Sequence, residues 1–165
     1  MDRNRTTATA LVLGLAVLGT AIDARGESER ADCQSLRGSI AETRIPSNDI
    51  NRLLSNVTGT LQGAGTVFIT GLNPPASFDA FLTKKGDLLM AVGAPTRTPI
   101  PGQPGDFISH VELTITGGSG KYEGATGTMT FDGVSHTLAV PPTADLVYRG
   151  TVCGPHIKAH GHDED

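Results

Sequence analysis

Five ionisable or hydroxyl-bearing side chains within predicted strands are the candidates for chemistry in a pocket: Asp79, His110, Glu112, Tyr148 and Arg149. A carboxyl or imidazole group in a cleft transfers protons when its pKa lies near the working pH. Strand alternation places most of these side chains on the outer, solvated face. Tyr148 alone shares the inward parity, so its hydroxyl is the first candidate to face a ligand. The alternative is core packing with a satisfied hydroxyl.

The C-terminal tail carries a second group of chemically capable residues. His156, His160 and His162 precede the acidic triplet 163–165, and imidazoles beside carboxylates can hold a divalent cation. A solvated, disordered tail over 156–165 explains the same residues, so we predict neither a metal site nor a cofactor. No nucleophile-elbow sequence is present, and catalytic residues stay unassigned.

A glycine-rich run invites comparison with loops that cradle phosphate. Its glycines are Gly117, Gly118, Gly120, Gly124 and Gly127. Phosphate loops lead into the N-terminus of a helix, whereas the segments on both sides of this run have strand character. These glycines are therefore predicted to permit a bulge or tight turns.

The N-terminus has the pattern of a secretory signal. Arg3 and Arg5 precede the uncharged apolar run 10–18, and small residues follow. Cleavage after Ala21, Ala24 or Gly26 fits equally well. A membrane anchor needs about 20 apolar residues, roughly twice this run. We predict a signal peptide over 1–24, a flexible lead over 25–32, no membrane span in the mature form, and a secreted or periplasmic location.

Two cysteines, Cys33 and Cys153, remain in the mature chain. An exported chain meets an oxidising compartment, so the two are predicted to form a disulfide. Two free thiols in an unexported protein are the alternative.

The charge balance excludes one partner class: the formal net charge is −4, and there is no basic patch to neutralise phosphates. We therefore expect no nucleic-acid binding.

Short β-rich runs between turn residues predict an all-β fold, and with 21 Gly and 10 Pro the chain has the composition for many turns. The predicted strands are Cys33–Ile40, Val67–Ile69, Phe78–Thr83, Leu88–Val92, Phe107–Thr116, Thr128–Phe131, His136–Val140 and Leu146–Cys153. Eight strands suit an antiparallel closed barrel with little helix, over residues 33–155. A sandwich remains open as an alternative.

Local signals predict how these strands are connected. The segment starting at Ser47 reads as one or two helical turns, and residues 84–87 read as a hairpin turn. The proline-rich stretch 94–105 reads as a loop, and the pair 132–133 reads as a turn.

Period-two alternation predicts which side chains face inward. Phe107, Val111, Leu113 and Ile115 share one face, Met129 and Phe131 another, and Leu146, Tyr148, Gly150 and Val152 a third. The residues predicted to contact a ligand are Phe107, Val111, Leu113, Met129, Phe131 and Tyr148. Cys153 has the opposite parity and is expected on the outer wall.

The run 111–127 contains Gly117-Gly118-Ser119-Gly120-Lys121-Tyr122 and resembles the Gly-Gly-Thr-Gly-Lys-Phe segment of dirigent proteins, a family related to allene oxide cyclases. The segments 65–68 and 87–90 are similar to two further pieces of that pattern, in the same order. A cysteine early in the mature chain and another in the last strand are also similar. The resemblance implies an eight-stranded antiparallel barrel, often a trimer, with a pocket open at one end.

Three functions follow as hypotheses. The first is a secreted barrel that binds a small apolar ligand in its lumen and directs the stereochemistry or cyclisation of a reactive intermediate by positioning. The second is a non-catalytic extracellular or envelope protein with a solid barrel and surface contacts, which the aromatic content of only 4% favours. The third is an isomerase or cyclase proper, which requires a pocket acid or base with a perturbed pKa.

Overall fold

The computed structural model describes residues 32–45, 51–70 and 75–158. Eight antiparallel strands pair in chain order, and the last pairs with the first, so the predicted closed barrel is confirmed. The strands are β1 (Asp32–Ile45), β2 (Asn51–Val57), β3 (Gly63–Thr70), β4 (Ala76–Thr83), β5 (Leu88–Pro99), β6 (Asp106–Ser119), β7 (Thr126–His136) and β8 (Thr143–Gly154). Two short 3-10 segments, Gly59–Leu61 and Gly120–Tyr122, complete the fold.

The N-terminal predictions lie outside these ranges, because the signal peptide and all but the last residue of the lead fall within 1–31. In the part of the chain that the structure covers, no helix has the length and hydrophobicity that a membrane crossing requires. At the other end, Ile157 is buried beside Gly154, so core packing extends past residue 155.

Strand β6 shows the alternation that its sequence predicts. Leu113 and Ile115 are buried in the core, while Glu112 and Thr114 are exposed on the outer face. Gly117 has φ +127° and lies where the β5–β6 register shifts, opposite Met90. A glycine accommodates this conformation without a Cβ clash, so the predicted bulge-forming role is confirmed at this position.

The disulfide is present, and it joins Cys33 of β1 to Cys153 of β8. The two residues are direct cross-strand partners, separated by 120 positions in sequence. The bridge therefore lies across the seam where the last strand meets the first and closes the barrel.

Strand β2 corrects the prediction of helical turns, since Asn51–Val57 pairs with β1 and β3. Leu53, Ser55 and Val57 are buried, while Leu54 and Asn56 are exposed. This period-two pattern is not visible in the sequence, because polarity does not follow burial here. Leu53 and its neighbour Leu54 are both apolar, although only Leu53 is buried, and the buried Ser55 is polar. Ser47 lies outside the described residues.

Strand β7 corrects two further predictions. It continues through Asp132 and Gly133 to His136, so residues 132–133 do not form the predicted turn. The chain turns after His136, so the strand predicted over His136–Val140 is absent. A Cβ at Gly133 would collide with the backbone carbonyl oxygen of Asp145. The glycine at this position therefore permits close approach to β8 rather than chain reversal.

Strand β5 extends into the stretch predicted as a loop, which is confirmed only from residue 100 onward. Pro95 and Pro99 lie in β5, opposite residues of β6. The β4 ladder ends at the pair of Ser77 and Gly93, so beyond it β5 pairs, among the described residues, with β6 alone. A proline, which has no N–H to donate, is tolerated on such an unpaired edge.

The interior divides into two unlike halves. At one end the two 3-10 segments fold over the barrel, and Leu61 and Tyr122 are fully buried among large side chains. The opposite end contains the turn from β5 to β6, and its inward positions carry mostly small or polar residues. The first half is a packed core, and the second is open.

Candidate functional site

The open half of the barrel contains a cavity. It has about 420 Å³ of space between atoms, including its mouth, and about 30 Å³ open to the centres of water molecules. Its lining consists of Glu42, Val67, Ile69, Ser77, Asp79, Pro95, Thr96, Arg97, Ser109, Val111, Phe131, Ser135, Ala144 and Leu146. A second space of about 50 Å³ on the same measure lies beside it toward Arg44, Thr137 and Pro142, and the two share Arg97.

Small inward side chains create this space. In the packed half, the inward positions of the strands carry large residues such as Leu, Phe, Met and Tyr. In the open half, buried inward positions of the strands carry Ser77, Ser109, Ser135 and Ala144. Ser109 Oγ donates a hydrogen bond to Ser135 Oγ at 2.9 Å, which joins the walls formed by β6 and β7. Strand number sets the barrel diameter, and it is the same at both ends. The cavity therefore exists because the inward side chains of this half are too small to fill the interior.

Glu42 enters the cavity from β1 and is 7% exposed. Burial is the main cause that raises the pKa of Glu42, to about 7, and the nearby Asp79 carboxyl raises it further. Ser55, whose hydroxyl donates to Glu42 Oε1 at 3.4 Å, and the Arg97 guanidinium lower this pKa in part.

Asp79 enters the same cavity from β4 and is 4% exposed. Burial raises the pKa of Asp79 to about 7 as well. The Ser77 side chain is near enough to lower this pKa in part, but it does not reach hydrogen-bonding geometry. Ser77 Oγ and Asp79 Oδ2 are thus buried without a hydrogen-bond partner among the described residues.

Two carboxyl groups, those of Glu42 and Asp79, line the same cavity, and we call them the acid pair. They enter this cavity from β1 and β4, strands that are not neighbours in the barrel. Burial raises the pKa of both groups to about 7, and repulsion from Asp79 raises that of Glu42 further, so both carboxyls retain protons up to near neutral pH. A protonated carboxyl donates a hydrogen bond or a proton, and an ionised one accepts a proton, so the pair can perform both halves of a proton transfer.

The predicted ligand-contacting residues divide between the two halves of the barrel. Val111 and Phe131 line the cavity. Leu113 and Met129 are buried in the packed core, and Phe107 is half-buried near the start of β6. Contact with a ligand stays a prediction for all of them.

Tyr148 is inward-facing, as predicted, but its hydroxyl is directed at the protein backbone. It donates to the carbonyl oxygen of Thr58 at 2.8 Å and accepts from the N–H of Leu61 at 2.9 Å. Tyr148 therefore fastens the first 3-10 segment onto the barrel, which corresponds to the core-packing alternative with a satisfied hydroxyl.

The other polar candidates are distributed as alternation predicts, with one exception. His110, Glu112 and Arg149 face outward, and His110 Nδ1 lies 2.6 Å from Asp132 Oδ1. That hydrogen bond is the main cause that raises the pKa of His110. Asp79 is the exception, because it shares the inward parity of Phe81 rather than the outward parity of Phe78.

Glu42 was not predicted as a site residue from the sequence, although one signal was available. Leu36, Ile40 and Glu42 share a parity in β1, and the first two are core residues. The predicted strand ended at Ile40, two residues before the carboxyl. Extending the alternation would have placed Glu42 inside the barrel.

No three His, Cys, Asp or Glu side chains in the described ranges are arranged to hold a metal ion, and His160 and His162 lie outside those ranges. The cavity is thus defined by its acid pair, its serine hydroxyls and its apolar wall. No family model, curated protein or solved structure matches the chain.

Proposed function

We propose that the open half of this barrel binds a small, largely apolar molecule and that the acid pair moves a proton on it, as an isomerase or cyclase does. One observation carries the proposal: two buried carboxyl groups in one cavity, Glu42 and Asp79, both have their pKa raised to about 7. A pocket acid or base with a perturbed pKa is what an isomerase or cyclase requires. A general acid or base is most effective when its pKa lies near the working pH.

The proposed step leaves the composition of the substrate unchanged. The protonated member of the pair donates its proton to a carbonyl or ether oxygen, while the ionised member removes a proton from carbon. Return of a proton to a different carbon, or attack within the molecule, completes an isomerisation or ring closure without an oxidant or reductant. Asp79 Oδ2, which is buried without a hydrogen-bond partner in the described part of the chain, is an acceptor for the ligand.

The size of the cavity limits what enters it. The cavity around the acid pair, which we call the inner space, has about 30 Å³ open to the centres of water molecules. On the same measure, a cavity needs about 10–15 Å³ to hold one water molecule. The reacting group of the ligand therefore occupies the inner space, against Val111 and Phe131. The remainder of the ligand lies in the second space, near Arg97 and Pro142.

The resemblance to dirigent proteins and allene oxide cyclases supports the proposal, because it implies a barrel with a pocket open at one end and assembly into a trimer. Export is part of the same proposal. The disulfide between Cys33 and Cys153 favours an oxidising compartment, either outside the cell or in the periplasm.

A second function is favoured by the small volume of the inner space. A barrel whose lumen admits only a few atoms can serve as a non-catalytic extracellular protein that acts through its surface. Under that function, a panel of small apolar molecules leaves the melting temperature unchanged, and the acid pair affects stability alone.

Exchange of ketone α-protons for deuterium tests the proposal without knowledge of the natural substrate. Acetone, butanone and cyclohexanone are incubated with the protein in heavy water, and deuterium uptake is followed by mass spectrometry. We expect exchange faster than in buffer, greatest near neutral pH, and reduced to the buffer rate in Glu42→Gln and Asp79→Asn.

The matched control is Glu112→Gln, which removes an exposed carboxyl on the outer face of β6 and should leave exchange unchanged. Exchange at the buffer rate with all three ketones, together with unchanged melting temperatures, would reject proton transfer in favour of the second function.

A further inference from the structure

The two described connections at the open end of the barrel are apolar. Residues 100–105 join β5 to β6, and residues 137–142 join β7 to β8. Neither segment contains a charged side chain, and residues 138–142 have no polar side chain at all. Surface connections are ordinarily polar, so a run of exposed apolar residues calls for a functional explanation. The exposed or half-buried apolar side chains of these segments form what we call the apolar rim: Ile100, Pro101, Pro104, Leu138, Val140 and Pro141.

The apolar rim projects from the barrel. Leu138 and Val140 are 71% and 99% exposed, the two highest values among the large apolar side chains of the described residues. Hydrogen bonds hold the two segments in place. The backbone N–H and the hydroxyl of Thr137 both donate to the carbonyl oxygen of Gly105 at 2.8 Å. On the other side, the N–H of residue 44 donates to the carbonyl oxygen of residue 142 at 2.8 Å. Val140 therefore lies near the tip of a loop that is anchored at both ends.

The packed end of the barrel has a different character. Its turn from β4 to β5 contains Lys84, Lys85 and Asp87, and the second 3-10 segment contains Lys121 and is followed by Glu123. The large apolar residues of the two 3-10 segments are buried. In the described ranges, exposed apolar side chains between strands therefore occur only at the end where the cavity opens.

Two arginines stand at the mouth of the cavity, beside the apolar rim. Arg44 and Arg97 both line the second space, and both are exposed. Asp106 and Asp145 also lie at this end, but on the outer face, where His136 Nδ1 is 3.0 Å from Asp106 Oδ1 and His136 Nε2 is 4.0 Å from Asp145 Oδ2. The margin of the mouth therefore combines apolar side chains with positive charge.

We propose that the apolar rim docks on the surface of a bilayer that contains anionic phospholipids. Peripheral proteins bind such a surface through apolar side chains at the boundary of headgroups and acyl chains, and through Lys or Arg side chains that attract anionic headgroups. The apolar rim supplies the first kind of group, and Arg44 and Arg97 supply the second. A projecting tip such as Val140 enters a fluid lipid layer, whereas a second folded protein would need a matching depression to receive it.

This orientation turns the mouth of the cavity toward the lipid. An apolar molecule dissolved in the bilayer then reaches the cavity without passing through bulk water, where its exposure is unfavourable. Docking goes beyond the proposed proton transfer and does not depend on it, because it requires the apolar rim and the two arginines but not the acid pair. It is accordingly measured as binding and not as turnover.

Sedimentation with vesicles tests the docking. The exported protein is mixed with vesicles of phosphatidylglycerol and phosphatidylcholine, or of phosphatidylcholine alone, and the bound fraction is measured. We expect the wild type to bind the mixed vesicles, and to bind them more weakly at high salt because salt screens the arginines. Val140→Asp should bind about tenfold more weakly or worse, since burial of a valine contributes about that factor. Arg44→Gln combined with Arg97→Gln should lose about 20- to 30-fold on the mixed vesicles, at roughly fivefold for each arginine.

Leu82→Asp is the matched control for Val140→Asp, because Leu82 is a 51% exposed apolar residue on the outer wall near the packed end. Arg149→Gln is the control for the arginine variant, because Arg149 is exposed on the outer face of β8. Both controls should bind the mixed vesicles as the wild type does. Absence of binding in the wild type, or a loss in Leu82→Asp equal to that in Val140→Asp, would overturn the proposal.

Fluorescence locates the docked surface with variants that keep an apolar side chain. The chain contains no tryptophan, so Val140→Trp and Leu82→Trp each introduce a single reporter. We expect mixed vesicles to shift the emission of Val140→Trp to the blue and brominated phosphatidylcholine to quench it, while the emission of Leu82→Trp stays unchanged. A vesicle-bound Val140→Trp protein whose emission does not shift would contradict docking through the apolar rim, because a different surface would then contact the lipid.

A second copy of the chain is the other occupant to be distinguished. Light scattering without lipid measures the molecular mass of the wild type and of Val140→Asp, and we expect the two masses to be equal. A larger mass that Val140→Asp reduces to one chain, together with no vesicle binding, would assign the apolar rim to association between copies and overturn docking on lipid.

Discussion

The hydroxyl of Tyr148 accepts a hydrogen bond from the backbone N–H of Leu61 at 2.9 Å, across 87 positions of sequence. The same hydroxyl donates to the carbonyl oxygen of Thr58 at 2.8 Å. One side chain of β8 thereby satisfies two polar backbone groups of the segment that covers the packed end of the barrel.

Tyr148→Phe is expected to destabilise the fold. The substitution leaves the Leu61 N–H buried without this partner, and such a loss costs about 1–3 kcal/mol in the free energy of unfolding. Urea denaturation monitored by circular dichroism measures the change.

Tyr122→Phe is the matched control, because the Tyr122 hydroxyl is buried with no hydrogen-bond partner among the described residues. Removing an unsatisfied group should leave stability unchanged or slightly raised. Equal losses in the two variants would show that the Tyr148 hydroxyl has no special role.

The acid pair should make stability fall as the pH rises. Below about pH 4, the carboxyls of Glu42 and Asp79 are protonated in the folded protein and mostly so in the unfolded chain. Between about pH 4 and 7 the unfolded chain ionises first, so the unfolded state gains relative stability. The loss amounts to at most about 3 to 4 kcal/mol for each group by pH 8.

Denaturation at pH 4 to 9 in wild type, Glu42→Gln, Asp79→Asn and the double variant measures this effect. The double variant should lose less stability over this range, because both buried carboxyls are gone. Each single variant should be intermediate, because one carboxyl with a raised pKa remains. Four parallel curves would contradict the raised pKa values.

Removing the disulfide should destabilise the barrel at its seam. In the chain-entropy model, a link between residues 120 positions apart contributes about 4 to 5 kcal/mol as an upper estimate. The double substitution Cys33→Ser and Cys153→Ser should lower the melting temperature and speed amide exchange in β1 and β8 first. Thiol reagents that label both cysteines of the native wild type would show that the bridge is not formed.

Gly133→Ala should destabilise β7, because the added Cβ collides with the backbone carbonyl oxygen of Asp145. Overpacking of this kind costs about 1–3 kcal/mol. Thr130→Ala on the same strand is the control and should cost less, since Thr130 is only half-buried. An alanine tolerated at 133 would indicate that β7 and β8 separate readily there.

How far the sequence predicted the fold depended on whether polarity followed burial. In β6, Leu113 and Ile115 alternate with Glu112 and Thr114, and the strand was predicted with its correct inward face. In β2, Ser55 is buried and Leu54 exposed, and the strand was missed. The total of eight strands was correct, although a missed strand at 51–57 and a wrongly predicted one at 136–140 compensated for each other.

The candidate site was predicted less well than the fold, because its residues break the rule that inward means apolar. Val111 and Phe131 were identified by alternation and do line the cavity. Asp79 was noticed but expected outside, and Glu42 was not noticed. A buried carboxyl has the same local sequence signature as an exposed one, so parity within its own strand is the sole local guide.

By itself, the sequence determined the all-β class, the inward faces of the clearest strands and the pairing of Cys33 with Cys153, because alternation, turn composition and the presence of two cysteines are local or countable properties. Only the tertiary structure decided that Glu42 and Asp79 share one cavity, since closure of the barrel brings β1 and β4 to the same lumen. Their raised pKa values have the same origin: desolvation depends on neighbours from distant strands, which the order of residues does not display.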